Sequence, residues 1–98
     1  MGISELREEI DRVDEELLRL LNRRARIAVE IGELKRRAGL PVCDRTRERE
    51  VLSRPWAAEA GPLGRGAVAR IFRRIICESR RAQERACASA QAACEAQR

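Results

Sequence analysis

An apolar seam within the first 38 residues constrains the fold of this chain more than any other feature. Between Leu6 and Ala38, seam positions recur at alternating steps of four and three, the spacing of one face of a long α-helix. The ten positions are Leu6, Ile10, Val13, Leu17, Leu20, Arg24, Ile27, Ile31, Leu34 and Ala38. A helix over about residues 1–38 cannot be covered by the rest of a 98-residue chain, so we expect a partner chain to supply part of the core.

Arg24 is the seam position that carries a charge. A buried guanidinium without an anionic partner costs several kcal/mol, so the pattern predicts that Arg24 meets an anion. Lys35 lies about 16 Å further along the helix, on nearly the same side, and the two cationic side chains could hold one small anion. Arg7 shares that side but lies about 25 Å from Arg24, so it joins such a site only from another chain. A surface salt bridge with Asp11 is the alternative for Arg7.

Turn and cap residues predict where the first two helices begin and end. Ser4 is a candidate N-cap for the first helix, and Gly39 is expected to end it. Asp44 is a candidate N-cap for a second helix over about residues 44–60. Pro55 should kink or shorten that helix, because proline cannot donate the backbone hydrogen bond that a helix interior requires.

A third helix is predicted over about residues 66–86, after a break rich in glycine and proline. Its large apolar residues recur at helical spacing, at Val68, Ile71, Phe72, Ile75 and Ile76. The tail, residues 87–98, has helix propensity but almost no large apolar residue, so we expect a frayed or partner-dependent extension. The chain is therefore predicted as a single all-α domain, residues 1–98, with one long N-terminal helix.

Composition argues against several classes of function. The chain has no histidine, and its four cysteines form no C-x-x-C pair, so we expect no metal, no cofactor and no histidine-based catalysis. The net charge of +5 suits an anionic partner, but a single tryptophan and a single phenylalanine argue against nucleic acid. Without a secretory signal or an apolar run of about 18 residues, the sequence predicts a cytoplasmic protein with reduced thiols and no membrane association.

Polar residues on the second and third helices are candidates for a site. Ser79 and Gln83 continue the apolar stripe of the third helix, so both face inward unless the helix end simply turns to the surface. Asp44 and Glu48 are four residues apart and share a face, with Arg47 beside them. An N-cap followed by a solvated charged turn is the alternative for that group.

Taken in order, these residues resemble the all-helical class of chorismate mutases over about residues 5–83. The matching motifs are Leu6-Arg7-x-x-Ile10-Asp11-x-x-Asp14-x-x-Leu17-Leu18-x-Leu20-Leu21-x-x-Arg24, Ala28-x-x-Ile31-Gly32-x-x-Lys35, Pro41-Val42-x-Asp44-x-x-Arg47-Glu48 and Ile71-Phe72-x-x-Ile75-Ile76-x-x-Ser79-x-x-x-Gln83. The resemblance implies an intertwined homodimer of three-helix subunits with two active sites. It also implies an isomerase that rearranges chorismate to prephenate in the biosynthesis of aromatic amino acids.

The resemblance further implies a role for each candidate residue. Arg24 and, from the partner subunit, Arg7 would bind the carboxylates of the substrate. Lys35 would contact the ether oxygen and a carboxylate, Gln83 would be the second donor to the ether oxygen, and Ser79 would contact the ring-side carboxylate.

At the other end of the substrate, Asp44 and Glu48 would hold the ring hydroxyl, with Arg47 supporting that end of the pocket. The rearrangement needs no nucleophile, metal or proton carrier. Such a site would act by trapping a compact conformer and by stabilising negative charge on the ether oxygen.

Two alternative functions remain open at the level of sequence. The same residues would serve a 4-amino-4-deoxychorismate mutase or an isochorismate-pyruvate lyase. A basic helical dimerisation or nucleic-acid-binding module explains the seam and the charge, but leaves Arg24, Ser79 and Gln83 without a purpose. The tail is a candidate contact for a pathway-enzyme partner.

Overall fold

The computed structural model describes residues 2–42, 44–54 and 61–97. These ranges form three α-helices: α1 (Ile3–Arg37), α2 (Arg45–Leu52) and α3 (Arg65–Ala96), with a short 3-10 helix at Gly61–Leu63 before α3. The described residues contain no β-strand. The all-α prediction is therefore confirmed.

The start of α1 differs from the prediction. Gly2, not Ser4, is the N-cap, and its carbonyl accepts the first helical hydrogen bond from the amide of Leu6 at 3.1 Å. Ser4 lies inside the first turn. A side-chain cap contributes only about 1 kcal/mol, so it does not decide where a long helix begins.

The end of α1 is formed by Gly39, as predicted. Gly39 has a φ of 71°, a left-handed conformation that a residue with a Cβ rarely adopts. Its amide donates to the carbonyl of Arg36 at 3.2 Å, and the amide of Leu40 donates to that of Lys35 at 2.8 Å. These two bonds satisfy carbonyls at the helix end and turn the chain toward α2.

The second helix is shorter than predicted. Asp44 caps it as expected, because its carboxylate accepts from the amide of Arg47 at 2.9 Å. The helix ends at Leu52 rather than near residue 60, and Ser53 is its C-cap. A residue that precedes proline is disfavoured in the helical conformation, so a helix usually ends before the proline itself is reached. Pro55 and the rest of the predicted extension lie outside the described residues.

The third helix is longer than predicted and takes in the tail. It runs to Ala96 instead of ending near residue 86, so the tail continues the helix rather than fraying from it. Alanine, the residue with the highest helix propensity, occupies five of the last twelve positions.

Helices α1 and α3 lie side by side and run in the same direction. Arg24 contacts Ser79, and four residues later Ala28 contacts Gln83. A Cβ on Gly32 would lie 3.4 Å from Cγ of Gln83, so the helices approach closely where α1 has no side chain. Most of the contact between α1 and α3 therefore involves the second half of α1.

The first half of α1 extends away from the other described elements. Every residue from 2 to 23 is exposed, and this stretch includes the seam residues Leu6, Ile10, Val13, Leu17 and Leu20. The radius of gyration is 17.6 Å, whereas a compact chain of this length has about 13 Å. No apolar residue of the described ranges is buried. A large apolar surface is thus left open along this half of the helix.

None of the described helices combines the length and the hydropathy needed to cross a membrane.

Candidate active site

A cavity of about 280 Å³ lies among α1, α2 and α3. Its volume is close to the lower end of the range for small-molecule sites. Seven of the eight candidate residues line it: Arg24, Lys35, Asp44, Arg47, Glu48, Ser79 and Gln83. The other lining residues are Arg80 and the uncharged Ile27, Ala28, Ile31, Val42, Val51 and Ile76. The structure therefore brings together polar residues from three separate helices against an apolar wall.

Arg24 is held in the cavity by Ser79. Its Nη1 donates to Oγ of Ser79 at 2.9 Å. Ser79 is the one buried polar residue of the described ranges, with 7% of its surface exposed. A guanidinium has five N–H donors, so this bond orients Arg24 and leaves most of its donors for an anion. The two residues thus form one ordered polar unit in the wall of the cavity.

Gln83 is oriented by the backbone of α1. Its Nε2 donates to the carbonyl oxygen of Ala28 at 2.6 Å. A carbonyl can only accept, so this contact turns the amide nitrogen, rather than the amide oxygen, toward α1. The nitrogen carries two hydrogens, and the second can be donated into the cavity. The inward orientation predicted for Ser79 and Gln83 is what the structure shows.

Lys35 and Asp44 connect α1 to the start of α2. Nζ of Lys35 lies 3.9 Å from Oδ2 of Asp44, while Oδ1 of Asp44 accepts from the backbone of Arg47. Asp44 is therefore both the N-cap of α2 and a lining residue of the cavity. The pair is long and half of the Asp44 side chain is exposed, so Lys35 is only loosely held and can turn to a ligand.

Glu48 connects α2 to α3 through an ion pair with Arg80, formed between Oε1 and Nη2. Arg47 points to the rim, where its Nη1 lies 3.3 Å from Oε2 of Glu50. Both carboxylates of α2 that line the cavity, Asp44 and Glu48, thus face a cation from another helix. The group formed by Asp44, Arg47 and Glu48 is therefore more than a solvated charged turn.

The charges of the lining residues suit a dianion. Four are cationic, at Arg24, Lys35, Arg47 and Arg80, and two are anionic, at Asp44 and Glu48. The lining residues therefore carry a net positive charge, although Arg47 also pairs with Glu50 at the rim. Apolar walls strengthen the attraction of this charge for an anion by lowering the local dielectric constant. Both carboxylates belong to the N-terminal part of α2. The side of the cavity at α2 therefore carries charges of both signs, whereas the side at Arg24 is cationic.

Arg7 is the candidate that the described chain does not bring to the cavity. It lies in the exposed first half of α1 and is not among the lining residues. At 1.5 Å per residue, about 25 Å of helix separates it from Arg24. Any role for Arg7 in this cavity requires a second chain.

Sequence reasoning missed Arg80. It follows Ser79 directly and lies off the apolar stripe of α3, a position that usually belongs to a solvated face. The structure shows that α2 crosses that face, so Arg80 meets Glu48 there. No local pattern could have indicated this contact, because it depends on where α2 packs.

One cluster of charges beside the cavity has shifted pKa values. The pKa of Glu33 is lowered, chiefly by a hydrogen bond from Arg36 and then by one from Arg37. The pKa of Arg36 is raised by the same carboxylate. These residues belong to the last turns of α1 and do not line the cavity. In the described ranges, no three side chains of the types that bind metals converge.

Comparisons with known proteins identify relatives of this chain. The model of the family described as chorismate mutase type II matches residues 6–84. The chain is 45% identical over 78 residues to the bifunctional chorismate mutase/prephenate dehydratase of Aquifex aeolicus (strain VF5), a match that covers 76% of this chain and 22% of that protein. It is 41% identical over 75 residues to the protein of the same name from Escherichia coli (strain K12), a match that covers 76% of this chain and 19% of that protein. The chain thus spans about a fifth of the length of these curated relatives.

A solved structure extends the similarity from sequence to fold. Chorismate mutase (form II) from Thermus thermophilus superimposes with a TM-score of 0.75 and 39% sequence identity. The superposition covers 85% of this chain and 94% of that chain. The similarity therefore extends over nearly the whole of that protein, not over one helix.

Proposed function

Because the chain belongs to the type II chorismate mutase family, we propose that its cavity catalyses the Claisen rearrangement of chorismate to prephenate. The observation that carries this proposal is the convergence of seven candidate residues on one small cavity whose lining carries a net positive charge. Chorismate is a small dianion, so its charge and size match this site.

The first contribution to catalysis is the trapping of a compact conformer. Arg24 binds a carboxylate of the substrate through its planar fork, and Ser79 holds the guanidinium in place before the substrate arrives. The apolar side chains Ile27, Ile31 and Val51 enclose the carbon skeleton. Holding the enolpyruvyl arm over the ring removes rotational entropy before the reaction, and well-oriented intramolecular reactions gain about 7–11 kcal/mol in this way.

The second contribution is electrostatic. Negative charge develops on the ether oxygen as the carbon–oxygen bond breaks, and Lys35 and Gln83 donate to that oxygen. The carbonyl of Ala28 already orients the amide nitrogen of Gln83, and the second hydrogen of that nitrogen can be donated into the cavity. One well-placed donor to a developing charge contributes about 3–4 kcal/mol. Even an acceleration of about 10⁶-fold needs only about 8 kcal/mol, so two donors and conformer trapping suffice.

The carboxylates of α2 bind the ring end of the substrate. Glu48 and Asp44 accept from the ring hydroxyl, and Arg47 supports this end from the rim. Each carboxylate faces a cation from another helix: Glu48 pairs with Arg80, and Asp44 lies 3.9 Å from Lys35. Their position opposite the Arg24 end orients the substrate along the cavity.

A homodimer completes the site. The exposed seam along the first half of α1 and the large radius of gyration support a second copy as the partner. In an isologous pair of antiparallel long helices, Arg7 of one subunit approaches Arg24 of the other, and two equivalent sites are completed together. Arg7 then binds the second carboxylate of the substrate.

The cellular setting follows from the same activity. We place the protein in the cytoplasm, where its cysteines remain reduced. Two relatives are named as enzymes that join chorismate mutase to prephenate dehydratase. An enzyme that consumes prephenate is accordingly the pathway partner that the tail of α3 would contact.

A rate assay on purified protein tests this function. Chorismate loss and prephenate formation are followed, with 4-amino-4-deoxychorismate and isochorismate as parallel substrates. Arg24→Ala should lower kcat/KM by at least about 100-fold, because the substrate loses its orienting contact. Arg26→Ala, on the exposed side of the same helix, should retain wild-type rates. No prephenate from a folded dimer, or full activity of Arg24→Ala, would contradict the proposal.

A further inference from the structure

We propose that Arg80 is a positioning residue that sets the substrate preference of this site, because it makes the cavity accept a neutral ring hydroxyl in preference to a ring ammonium. This inference rests on the proposed function and deepens it, since the roles implied by the family resemblance do not include Arg80. It is carried by the ion pair between Arg80 and Glu48 inside the cavity.

Two consecutive residues of α3 reach two different helices. Ser79 faces α1 and accepts from Arg24, whereas Arg80 is rotated by about 100° and faces α2. The side chains of Arg80 and Glu48 are 33% and 25% exposed, so solvent only partly screens their attraction. Arg80 is therefore part of the wall at the end of the cavity where α2 lies.

The contact also determines where the Glu48 carboxylate lies. Helix α2 has only eight residues, from Arg45 to Leu52. Two polar links join its residues and its N-cap to the other helices: the pair between Lys35 and Asp44, at 3.9 Å, and the pair between Arg80 and Glu48. Arg80 engages Oε1 of Glu48, and a carboxylate has a second oxygen that can accept from a ligand.

The preference follows from the charge that a ligand meets at this carboxylate. A ring hydroxyl is neutral, so it donates to Glu48 without repulsion from the guanidinium. A ring amine at neutral pH is protonated, as alkyl amines are, and brings a positive charge next to Arg80. Like charges a few ångströms apart in a partly buried site cost enough to change affinity by about tenfold or more. The guanidinium thus disfavours the amine while it holds the acceptor for the hydroxyl.

Removing the guanidinium should reverse this balance. Glu48 and Asp44 would then form a more anionic end of the cavity, which attracts an ammonium group. A hydroxyl substrate would lose a fixed acceptor and gain nothing in return. The two substrates should therefore respond in opposite directions, which a general loss of structure would not produce.

The experiment compares kcat and KM for chorismate and 4-amino-4-deoxychorismate in four proteins: wild type, Arg80→Met, Arg80→Lys and Arg81→Met. Arg81 is the matched control, because it is the next residue of α3 and forms a surface pair with Glu78 at 2.9 Å. We expect Arg80→Met to shift the ratio of the two kcat/KM values toward the amine by about tenfold or more. Most of this shift should be in KM. Arg80→Lys should restore most of the wild-type ratio, and Arg81→Met should leave it unchanged.

Each result bears on the inference. An unchanged ratio in Arg80→Met, or an equal loss for both substrates, would overturn it. If Arg80→Met does not fold, Arg80→Gln removes the charge but keeps an amide donor, and the same shift is expected. Absence of turnover by the wild type would overturn the proposed function and this inference together. Normal turnover with a ratio that does not depend on Arg80 would overturn the inference alone.

Discussion

Nη1 of Arg24 lies 2.9 Å from Oγ of Ser79, although 55 positions separate the two residues in the chain. This hydrogen bond joins α1 to α3 at the cavity and gives the charged seam position a partner on the third helix. The guanidinium of Arg24 is consequently held in one orientation by Ser79. Such preorganisation lowers the entropy that substrate binding must overcome.

Ser79→Ala should weaken substrate binding more than it weakens folding. Hydrogen bonds to charged groups contribute about 1.5–3 kcal/mol, so kcat/KM should fall by roughly 10- to 100-fold, mainly through KM. Steady-state kinetics and thermal unfolding, followed by circular dichroism, measure the two effects. Ser89→Ala, an exposed serine of the same helix, is the control. Wild-type KM in Ser79→Ala would show that the hydroxyl does not position Arg24.

Gln83→Leu should lower kcat with little change in the fold. The substitution keeps the volume but removes the donor that Ala28 orients, and one such donor contributes about 3–4 kcal/mol, or roughly 10²- to 10³-fold in kcat. Single-turnover rates on chorismate separate this loss from substrate binding. Gln91→Leu, exposed further along α3, should be unaffected. A full rate in Gln83→Leu would exclude the amide as a donor to the ether oxygen.

The effect of a substitution at Gly32 on activity should depend on the size of the new side chain. A Cβ there would lie 3.4 to 3.6 Å from atoms of Gln83 and Val42, which is ordinary contact. Gly32→Ala should therefore keep activity within a few-fold and stabilise α1 by up to about 1 kcal/mol through helix propensity. Gly32→Leu should displace Gln83 and abolish most activity. Melting temperatures and kcat of both variants check this, and equal activity of the two would contradict the close approach of α1 and α3.

Mixing two inactive variants should restore activity if Arg7 acts in trans. In a mixed dimer of Arg7→Ala and Arg24→Ala chains, one site carries both defects and the other carries neither. Random pairing after joint refolding should give about a quarter of the wild-type activity. A mixture of Arg24→Ala and Lys35→Ala is the control, because both residues line the cavity of their own chain and no intact site can form. No recovery in the first mixture would place Arg7 outside the partner's site.

Acid should remove a contribution that Glu33 makes to stability. Its pKa is lowered in the folded state by Arg36 and Arg37, so the ionised carboxylate stabilises the fold above its ordinary pKa. This contribution is lost as pH falls through the lowered pKa. Glu33→Gln should thus melt below wild type at neutral pH and converge with it in acid. The matched control is Glu30→Gln, which replaces an exposed glutamate of the same helix.

The sequence alone determined the helical periodicity, the apolar seam of α1, the presence of the charged Arg24 within that seam and the chemical types of the site residues. These are properties of residues within about four positions of each other, where helix geometry decides which side chains share a face. The left-handed Gly39 and the Asp44 cap were predictable for the same reason.

Only the tertiary structure decided the rest. The carbonyl that orients Gln83, the pairing of Arg80 with Glu48 and the continuation of α3 to Ala96 were not predicted. A shortening of α2 was expected from Pro55, but its end at Leu52 was not. The two contacts depend on how helices from distant parts of the chain pack, and the two helix ends depend on small differences in backbone free energy. Local pattern fixes which side chains a helix presents, whereas packing over the whole molecule fixes what those side chains meet.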